Sequence, residues 1–319
     1  MKENILITGG SGFIGKILSL KLSKYYNLII IDKKEPDKLL KKKVTYFKSD
    51  FSNLKTLKRI FRIYKIKDII HLAAYIDARE SRFEKKKYVS NNYKKFIFFL
   101  NFCKNQSINK IIFASTAAVY GNSNKVNSES SKAKPINNYG RSKFLAEKYL
   151  IKLNLKNKII LRFFNVVGAE KRNRLGPSKK SAKNLFRIIS ERILKNKKFY
   201  LFGKSFSTKD GTTIRDYIHV EDICDIITKL IKNSKKFNYK IINCGYEKGY
   251  SVSEVIKCFE EVTNKKLNIV IKKKIKGDIP YSVARCKKLN KVIEFNPKYK
   301  NLKKMIISTF NWEKKLLFN

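Results

Sequence analysis

The sequence predicts an α/β fold: a doubly wound, mostly parallel sheet with a smaller C-terminal lobe. Three observations predict it. Short runs rich in Ile, Val and Phe alternate with helical patterns through the first half of the chain. A glycine-rich turn between Gly9 and Gly15 joins the first run to the first helical pattern. After about Val166 the alternation gives way to an irregular mixture. Alternating strands and helices place helices on both faces of a parallel sheet.

The elements follow in order. Strands buried on both faces read as unbroken apolar runs, not as alternation. Asn4–Thr8 is the first such run, and Phe13–Tyr25 follows it with helical spacing. Leu28–Asp32 sets four aliphatic residues before an acid. Val44–Ser49, Asp68–Leu72, Lys110–Ser115 and Lys158–Phe163 read as further buried strands. Leu54–Tyr64, Tyr88–Lys104 and Tyr139–Leu153 read as the helices between them. In the second half a basic loop containing Gly and Pro, Glu170–Lys180, leads to a helix near Ser181–Leu194. Short strands follow, with helices near Glu221–Ile231 and Val252–Val262. The expected division is one domain over 1–165 and a lobe over 166–319, with strands able to return to the sheet. Ligands bind beyond the carboxyl ends of parallel strands, and the functional residues are expected there.

Composition narrows the function classes. The chain has 319 residues, 43% of them hydrophobic, enough for a large core. No apolar run is long enough to span a membrane. The opening MKENILITGG is already a strand and a glycine turn, not a signal peptide, so a cytoplasmic location is expected. Cys103, Cys224, Cys244, Cys258 and Cys286 form no CxxC pair and read as reduced thiols. With only His71 and His219, no metal site is expected. The formal net charge is +48, yet its lysines are spread along the whole chain. That spread reads as a solvated surface, so neither nucleic acid nor a membrane is expected as a partner.

The turn Thr8-Gly9-Gly10-Ser11-Gly12-Phe13-Ile14-Gly15 carries the first chemistry. Gly9 permits a tight turn, Gly12 lets backbone approach a pyrophosphate, and Gly15 allows close packing of helix on strand. The helix start then offers free N–H groups and a positive dipole end to phosphates. Asp32, ending the second strand, suits the adenosine ribose hydroxyls and repels a 2′-phosphate, which favours NAD. Lys33 and Lys34 weaken that discrimination. Tyr139 and Lys143 stand at i and i+4 on one helical face. An ammonium one turn away, together with a positive nicotinamide ring, is expected to lower the tyrosine pKa, making Tyr139 a base for a hydroxyl proton. Thr116, ending the fifth strand, offers a hydroxyl to the same substrate oxygen, with Ser115 structural or supporting.

The glycine turn, the Thr116/Tyr139/Lys143 set and His71-Leu72-Ala73-Ala74 resemble the extended short-chain dehydrogenase/reductase family over most of the chain. Within it, Asp210-Gly211-Thr212-Thr213-Ile214-Arg215-Asp216-Tyr217-Ile218-His219-Val220 and Leu161-Arg162-Phe163-Phe164-Asn165-Val166-Val167-Gly168-Ala169 resemble signatures of the UDP-glucose 4-epimerases. The resemblance implies a Rossmann fold with tightly bound NAD and C4 epimerisation through a 4-keto sugar. It implies an NAD site at Gly9, Gly12, Phe13, Ile14, Gly15, Asp32, Asp50, Phe51, Leu72, Ala73, Ala74, Asn91, Tyr139 and Lys143. It implies that Thr116, Asn165, Asn184, Leu185, Phe202, Arg215, Tyr217 and Asp278 hold the UDP-sugar, with Ser282 as a small gate beside the sugar 2-substituent that would admit N-acetylated sugars.

The sequence departs from the family pattern at Ile275, where an arginine is common, leaving Lys274 or Lys276 to meet the diphosphate. Phe163 stands where Tyr is common, and Ile76 where Lys is. Dehydratases of the family carry Asp-Glu after the Thr; Ala117 and Ala118 argue against that chemistry. An epimerase of uronic acids or pentoses and a non-enzymatic nucleic-acid-binding relative are the other readings. Phe96-Ile97-Phe98-Phe99-Leu100-Asn101-Phe102 is apolar on more than one face, which implies a homodimer contact through this helix and Tyr139–Leu153, as in the family.

Overall fold

The computed structural model describes residues 2–123, 125–179, 184–233, 239–275 and 277–318. The chain forms two compact units. The first gathers Met1–Val119, Pro135–Arg162 and Cys224–Ile242; the second gathers Tyr120–Lys134, Phe163–Ile223 and Asn243–Asn319. Residues 224–242 thus return to the first unit after residue 165, and residues 120–134 join the second unit before it.

The first unit is built on a seven-stranded sheet. With elements numbered along the chain, its strands are β1 (Asn4–Thr8), β2 (Asn27–Asp32), β3 (Thr45–Lys48), β4 (Ile66–His71), β5 (Lys110–Thr116), β6 (Lys158–Phe163) and β10 (Tyr239–Cys244), in the order β10-β6-β5-β4-β1-β2-β3. The ladders joining β1 to β2 and β4, β2 to β3, and β4 to β5 are all parallel. Successive crossovers run one way from β1 to β3 and the other way from β4 outward. Between β1 and β4 lies a switch point, where such sheets open a crevice at the carboxyl ends of their strands. Ile5, Leu6, Ile7, Ile69, Ile70, Ile112 and Phe113 are fully buried. β3 is shorter than its apolar run, with Thr45 and Lys48 exposed, because it is the edge strand.

Its helices are α1 (Phe13–Leu22), α2 (Leu54–Ile63), α3 (Lys85–Val89), α4 (Lys95–Cys103) and α5 (Asn138–Lys152). The single helix expected over Tyr88–Lys104 is interrupted by a π-helical turn at Ser90–Lys94. Such bulges recur at functional sites. Here the turn buries Asn92, whose side chain accepts from Tyr75 N (2.9 Å) and donates to Tyr75 O (2.9 Å) and Ser142 Oγ (3.2 Å). Two strands begin with buried lysines that cap helix C-termini. Lys110 Nζ donates to the carbonyls of Leu230, Ile231 and Asn233 at 2.7, 3.0 and 2.7 Å. Lys158 Nζ donates to those of Ile151 and Leu153 at 2.8 and 2.6 Å. Each ammonium satisfies carbonyls that have no partner within a helix and meets the negative end of its dipole.

In the second unit β9 (Ile214–His219) is flanked by β11 (Gly249–Ser251) and β13 (Tyr281–Ser282) and also pairs with β7 (Asn165–Val167); β8 (Phe199–Phe202) pairs with β12 (Ile269–Lys272). Helices α6 (Leu185–Leu194), α8 (Val252–Thr263), α9 (Lys287–Val292) and α10 (Leu302–Phe318) belong here, while α7 (Val220–Lys232) has residues in both units. Residues 181–183, included in the helix expected near Ser181, lie outside the described residues. α10 was not expected from the sequence. It is fastened by a buried ion pair between Arg187 Nε and Glu313 Oε1 (2.6 Å) and by Trp312 Nε1 donating to Pro177 O (2.8 Å). Asp216 is the internal hub. Its carboxylate accepts from the backbone N–H groups of Tyr246, Glu247 and Ala284 at 2.9, 3.0 and 3.1 Å, while burial pushes its pKa up to about 7.

Candidate active site

The glycine turn follows the carboxyl end of β1. Gly9 has φ +75, and a Cβ there would lie 2.6 Å from Ala73 N, so the turn needs both the left-handed conformation and the missing side chain. Gly15 is required for a different reason from the one expected. Its Cβ would strike Gly9 O at 2.3 Å and Gly10 Cα at 2.8 Å, so it brings α1 against the turn itself. At Gly12 a Cβ would meet only Gly9 O, at 3.1 Å, and the residue is exposed. α1 begins there without a side-chain cap, leaving its first-turn N–H groups for a ligand. Among the described residues the buried Ser11 hydroxyl has no hydrogen-bond partner, the kind of orphaned group a phosphate oxygen would satisfy. These features fit a dinucleotide, with Phe13 and Ile14 half-buried behind them.

Asp32 closes β2 beside this turn. Its carboxylate accepts from Ser11 N (3.0 Å) and Lys34 N (2.9 Å), which orients it and leaves lone pairs for ribose hydroxyls. Lys33 Nζ is ion-paired with Asp50 at 2.9 Å, so its charge does not stand free to meet a 2′-phosphate. Asp50 is also paired with Lys95 and bonded to Ser52, and these partners hold its carboxyl well below the usual range against the opposing effect of burial. The Phe51 ring is almost wholly buried and packs edge-to-face with His71 and Phe99 in the core. Leu72, Ala73 and Ala74 follow β4 half-buried beside Gly9. Asn91 is half-buried and donates to Asn92 Oδ1 (3.1 Å).

Thr116, Tyr139 and Lys143 are brought together within the first unit. Asn137 caps α5 by accepting from Gly140 N at 2.8 Å. Gly140 lets the first turn of α5 lie on the bend after β5, since a Cβ there would sit 2.4 Å from Ala118 O. That close approach sets the Tyr139 phenol near the Thr116 hydroxyl, close enough to affect its titration. Lys143 Nζ reaches past them to donate to Ala114 O (2.7 Å), 4.6 Å from the centre of the Phe113 ring.

Among the protein's own groups, burial raises Tyr139 to about 12, only partly offset by Thr116, and lowers Lys143 to about 7. Burial acts on both because it disfavours the charged form of each group. His71 is kept neutral, by burial first and by the Lys143 charge second.

The second unit gathers most of the remaining residues on its small sheet. Alternation along β9 puts Arg215 and Tyr217 on one face and Asp216 on the other. Asn165 pairs with Tyr217 in the β7–β9 register and donates to Asp216 O (2.9 Å). Arg215 lies within electrostatic reach of Tyr217 and Asp278. Asn184 caps α6, accepting from Arg187 N (3.1 Å) and donating to Val166 O (3.0 Å), so its side chain serves the fold. Leu185 is half-buried and Phe202 is exposed. Lys274 is exposed, and Lys276 lies outside the described residues. Among the described residues, no group of three or more His, Cys, Asp or Glu could hold a metal ion.

A phosphate cradle at a switch point, with a hydroxyl-facing tyrosine and lysine one strand away, defines an NAD-dependent enzyme acting on a carbon that bears a hydroxyl. The chain belongs to the NAD dependent epimerase/dehydratase family, whose model matches residues 5–245. It is 31% identical to a UDP-glucose 4-epimerase of Azospirillum brasilense, over 98% of this chain and 92% of the relative. The UDP-glucose 4-epimerase of Bifidobacterium longum in complex with NAD+ and UDP superposes with a TM-score of 0.89 at 28% identity, covering 98% of each chain. The UDP-Glc/GlcNAc 4-epimerase of Campylobacter jejuni gives a TM-score of 0.84 at 31% identity, covering 98% of this chain and 99% of that one.

Proposed function

We propose that the protein inverts C4 of a UDP-hexose, interconverting UDP-glucose and UDP-galactose through a 4-keto sugar. The observation that carries this reading is the convergence of Thr116, Tyr139 and Lys143 at the end of β5. Bound NAD would supply reversible acceptance of the C4 hydrogen with its bonding electrons. Tyr139 takes the O4 proton while Thr116 holds the same oxygen by a hydrogen bond. A phenolate is unfavourable in this buried setting, so it requires both a protonated Lys143 and the positive charge of the oxidised cofactor. Tyr139 then returns the proton as the turned-over keto sugar is reduced on its other face. Methyl groups at Ala117 and Ala118 provide no further acid or base for elimination. The net redox change is zero, so one bound NAD serves repeated turnovers. Incubating the purified protein with UDP-glucose, UDP-N-acetylglucosamine or UDP-xylose, without added NAD, tests this. UDP-galactose should appear from UDP-glucose, and failure to convert any of the three sinks the reading.

Arg215, Tyr217, Asn165 and Asp278 are proposed to hold the UDP-sugar, with Leu185 and Phe202 bordering it and Asn184 acting through its cap. A guanidinium suits a diphosphate, and Arg215, half-buried on β9, is the cation of that set. Ser282 is proposed as the gate. The β13–β9 register supports it: Ser282 pairs with Arg215 and Tyr281 with Ile214, so Ser282 shares a face with Arg215 and Tyr281 does not. A serine leaves room for an N-acetyl group. Ser282→Tyr should suppress turnover of the N-acetylated pair about tenfold or more while sparing UDP-galactose. Equal loss on both substrates would remove Ser282 from that role.

We also propose a homodimer through α4 and α5 and an enzyme working in the cytoplasm. On α4, Phe96, Phe99, Leu100 and Cys103 are buried, yet Phe98 remains 44% exposed, with Ile97 and Phe102 half-buried. Light scattering at micromolar concentration should give twice the chain mass, and Phe98→Glu should halve it; a wild-type monomer excludes this contact. All five cysteines are free thiols and buried, which fits a reducing compartment.

A further inference from the structure

We propose that Glu147 is a positioning residue for Lys143, its carboxylate holding the lysine charge in place for the proton transfer. The inference rests on the reading of Tyr139 and Lys143 as the acid–base pair. Tyr139, Lys143 and Glu147 follow one another at four-residue spacing on α5, and all three dock on consecutive residues of one strand. Tyr139 meets Thr116, Lys143 Nζ donates to Ala114 O, and Glu147 Oε1 accepts from Ser115 Oγ. From β6, Arg162 closes the arrangement with a two-pronged bond, Nε to Glu147 Oε1 (3.0 Å) and Nη2 to Oε2 (2.6 Å). Both side chains of this pair are almost wholly buried, at 4% and 1% exposure.

Stability alone is a poor reason for such a pair. Burying two charges costs about as much as their attraction returns, and apolar residues of equal volume commonly do as well. The position offers another reason. Glu147 lies one helical turn from a lysine whose charge is opposed by burial, and its attraction counters that effect. Among the described residues, the groups given near Lys143 are Tyr139 and Glu147 on α5, the neutral His71 on β4, and the Ala114 carbonyl and the Phe113 ring on β5, with Arg162 behind Glu147. Glu147 is the carboxylate among them.

The pair must shed one proton before Tyr139 can accept another, so the acid limb of the pH profile belongs to Tyr139 and Lys143 together. Without Glu147 that proton leaves Lys143 more easily. The limb moves to lower pH, but the phenolate fraction falls. Glu147→Gln keeps the shape and the Ser115 bond. Glu147→Gln combined with Arg162→Met removes both charges and so avoids an unpaired buried guanidinium. Both variants should lose turnover about tenfold and shift the acid limb down by roughly one pH unit. Glu147→Asp, which keeps the charge, should stay near the native profile and decides the matter if the others do not fold: its carboxylate sits farther back, so a small downward shift supports the role. A purely structural role predicts turnover that follows thermal stability with the limb unmoved, and that outcome overturns the inference. Failure of the underlying reading looks different, because Tyr139→Phe would then remain active.

Discussion

Tyr139→Phe should lower turnover by ~10²-fold or more while the protein keeps its fold and its NAD. The substitution removes one oxygen. The ring keeps its edge contact with Tyr88, whose centroid lies 6.4 Å away, and Thr116 Oγ1 keeps the hydrogen bond it accepts from Ala118 N (3.1 Å). What disappears is the acceptor for the O4 proton, and no neighbour can replace it: Lys143 is turned to Ala114 O, and His71 is buried in an aromatic cage. The measurement is steady-state epimerisation alongside the absorbance of bound cofactor. Near-native turnover with NAD bound would show that another group moves the proton.

Gly9→Ala carries the second large effect. An alanine at φ +75 costs about 1–2 kcal/mol before any contact is considered. The added methyl would also lie 2.6, 2.8 and 2.9 Å from Ala73 N, Ala73 Cα and Leu72 C. These are backbone atoms held by the β1–β4 ladder, with Leu72 N donating to Thr8 O at 2.9 Å, so they cannot swing aside as a side-chain tip would. A loss of roughly 3 kcal/mol or more, with most of the NAD lost on gel filtration, is expected. Gly12→Ala is the matched control. Its methyl would meet one oxygen at 3.1 Å, so its melting temperature should stay near native while cofactor affinity falls. Equal destabilisation by both substitutions would mean that the turn is a structural loop and nothing more.

The sheet was legible because its strands are buried on both faces and therefore spell out long aliphatic runs such as Leu28–Ile31. β3 was overextended because an edge strand carries less of that signal. The π-turn at Ser90–Lys94 was invisible, since its cause is the bond network of Asn92, which no periodicity encodes. α10 was missed because lysines interrupt its apolar stripe, although Met305, Ile306, Thr309 and Trp312 share a buried face. The structure brings together Thr116, Tyr139 and Lys143, which residue type and spacing had singled out, but their pKa values could not be read from the sequence. The sign of the Tyr139 shift follows from desolvation, and desolvation is a property of the folded surroundings. Glu147 was passed over because an acid within a Lys-rich helix reads as solvated; only the strand behind it reveals an interior charge. Gly140 had a signal in the adjoining Tyr-Gly pair, which the close approach to Ala118 explains.

The path of the chain through its two units bears on synthesis. A ribosome delivers β1 to β6 by residue 163, yet β10, the outer neighbour of β6 in the sheet, is not complete until residue 244. In that interval Ile159, Ile160 and Leu161 form the apolar edge of a nascent sheet with unpaired backbone groups, which invites pairing with another chain. Lys110, on neighbouring β5, likewise waits for the helix end it caps, whose last carbonyl belongs to residue 233. About eighty residues of translation, several seconds at ordinary elongation rates, thus separate an exposed sheet edge from its cover. The dense positive charge of the emerging chain would act as its guardian during that wait, keeping two unfinished copies apart by repulsion.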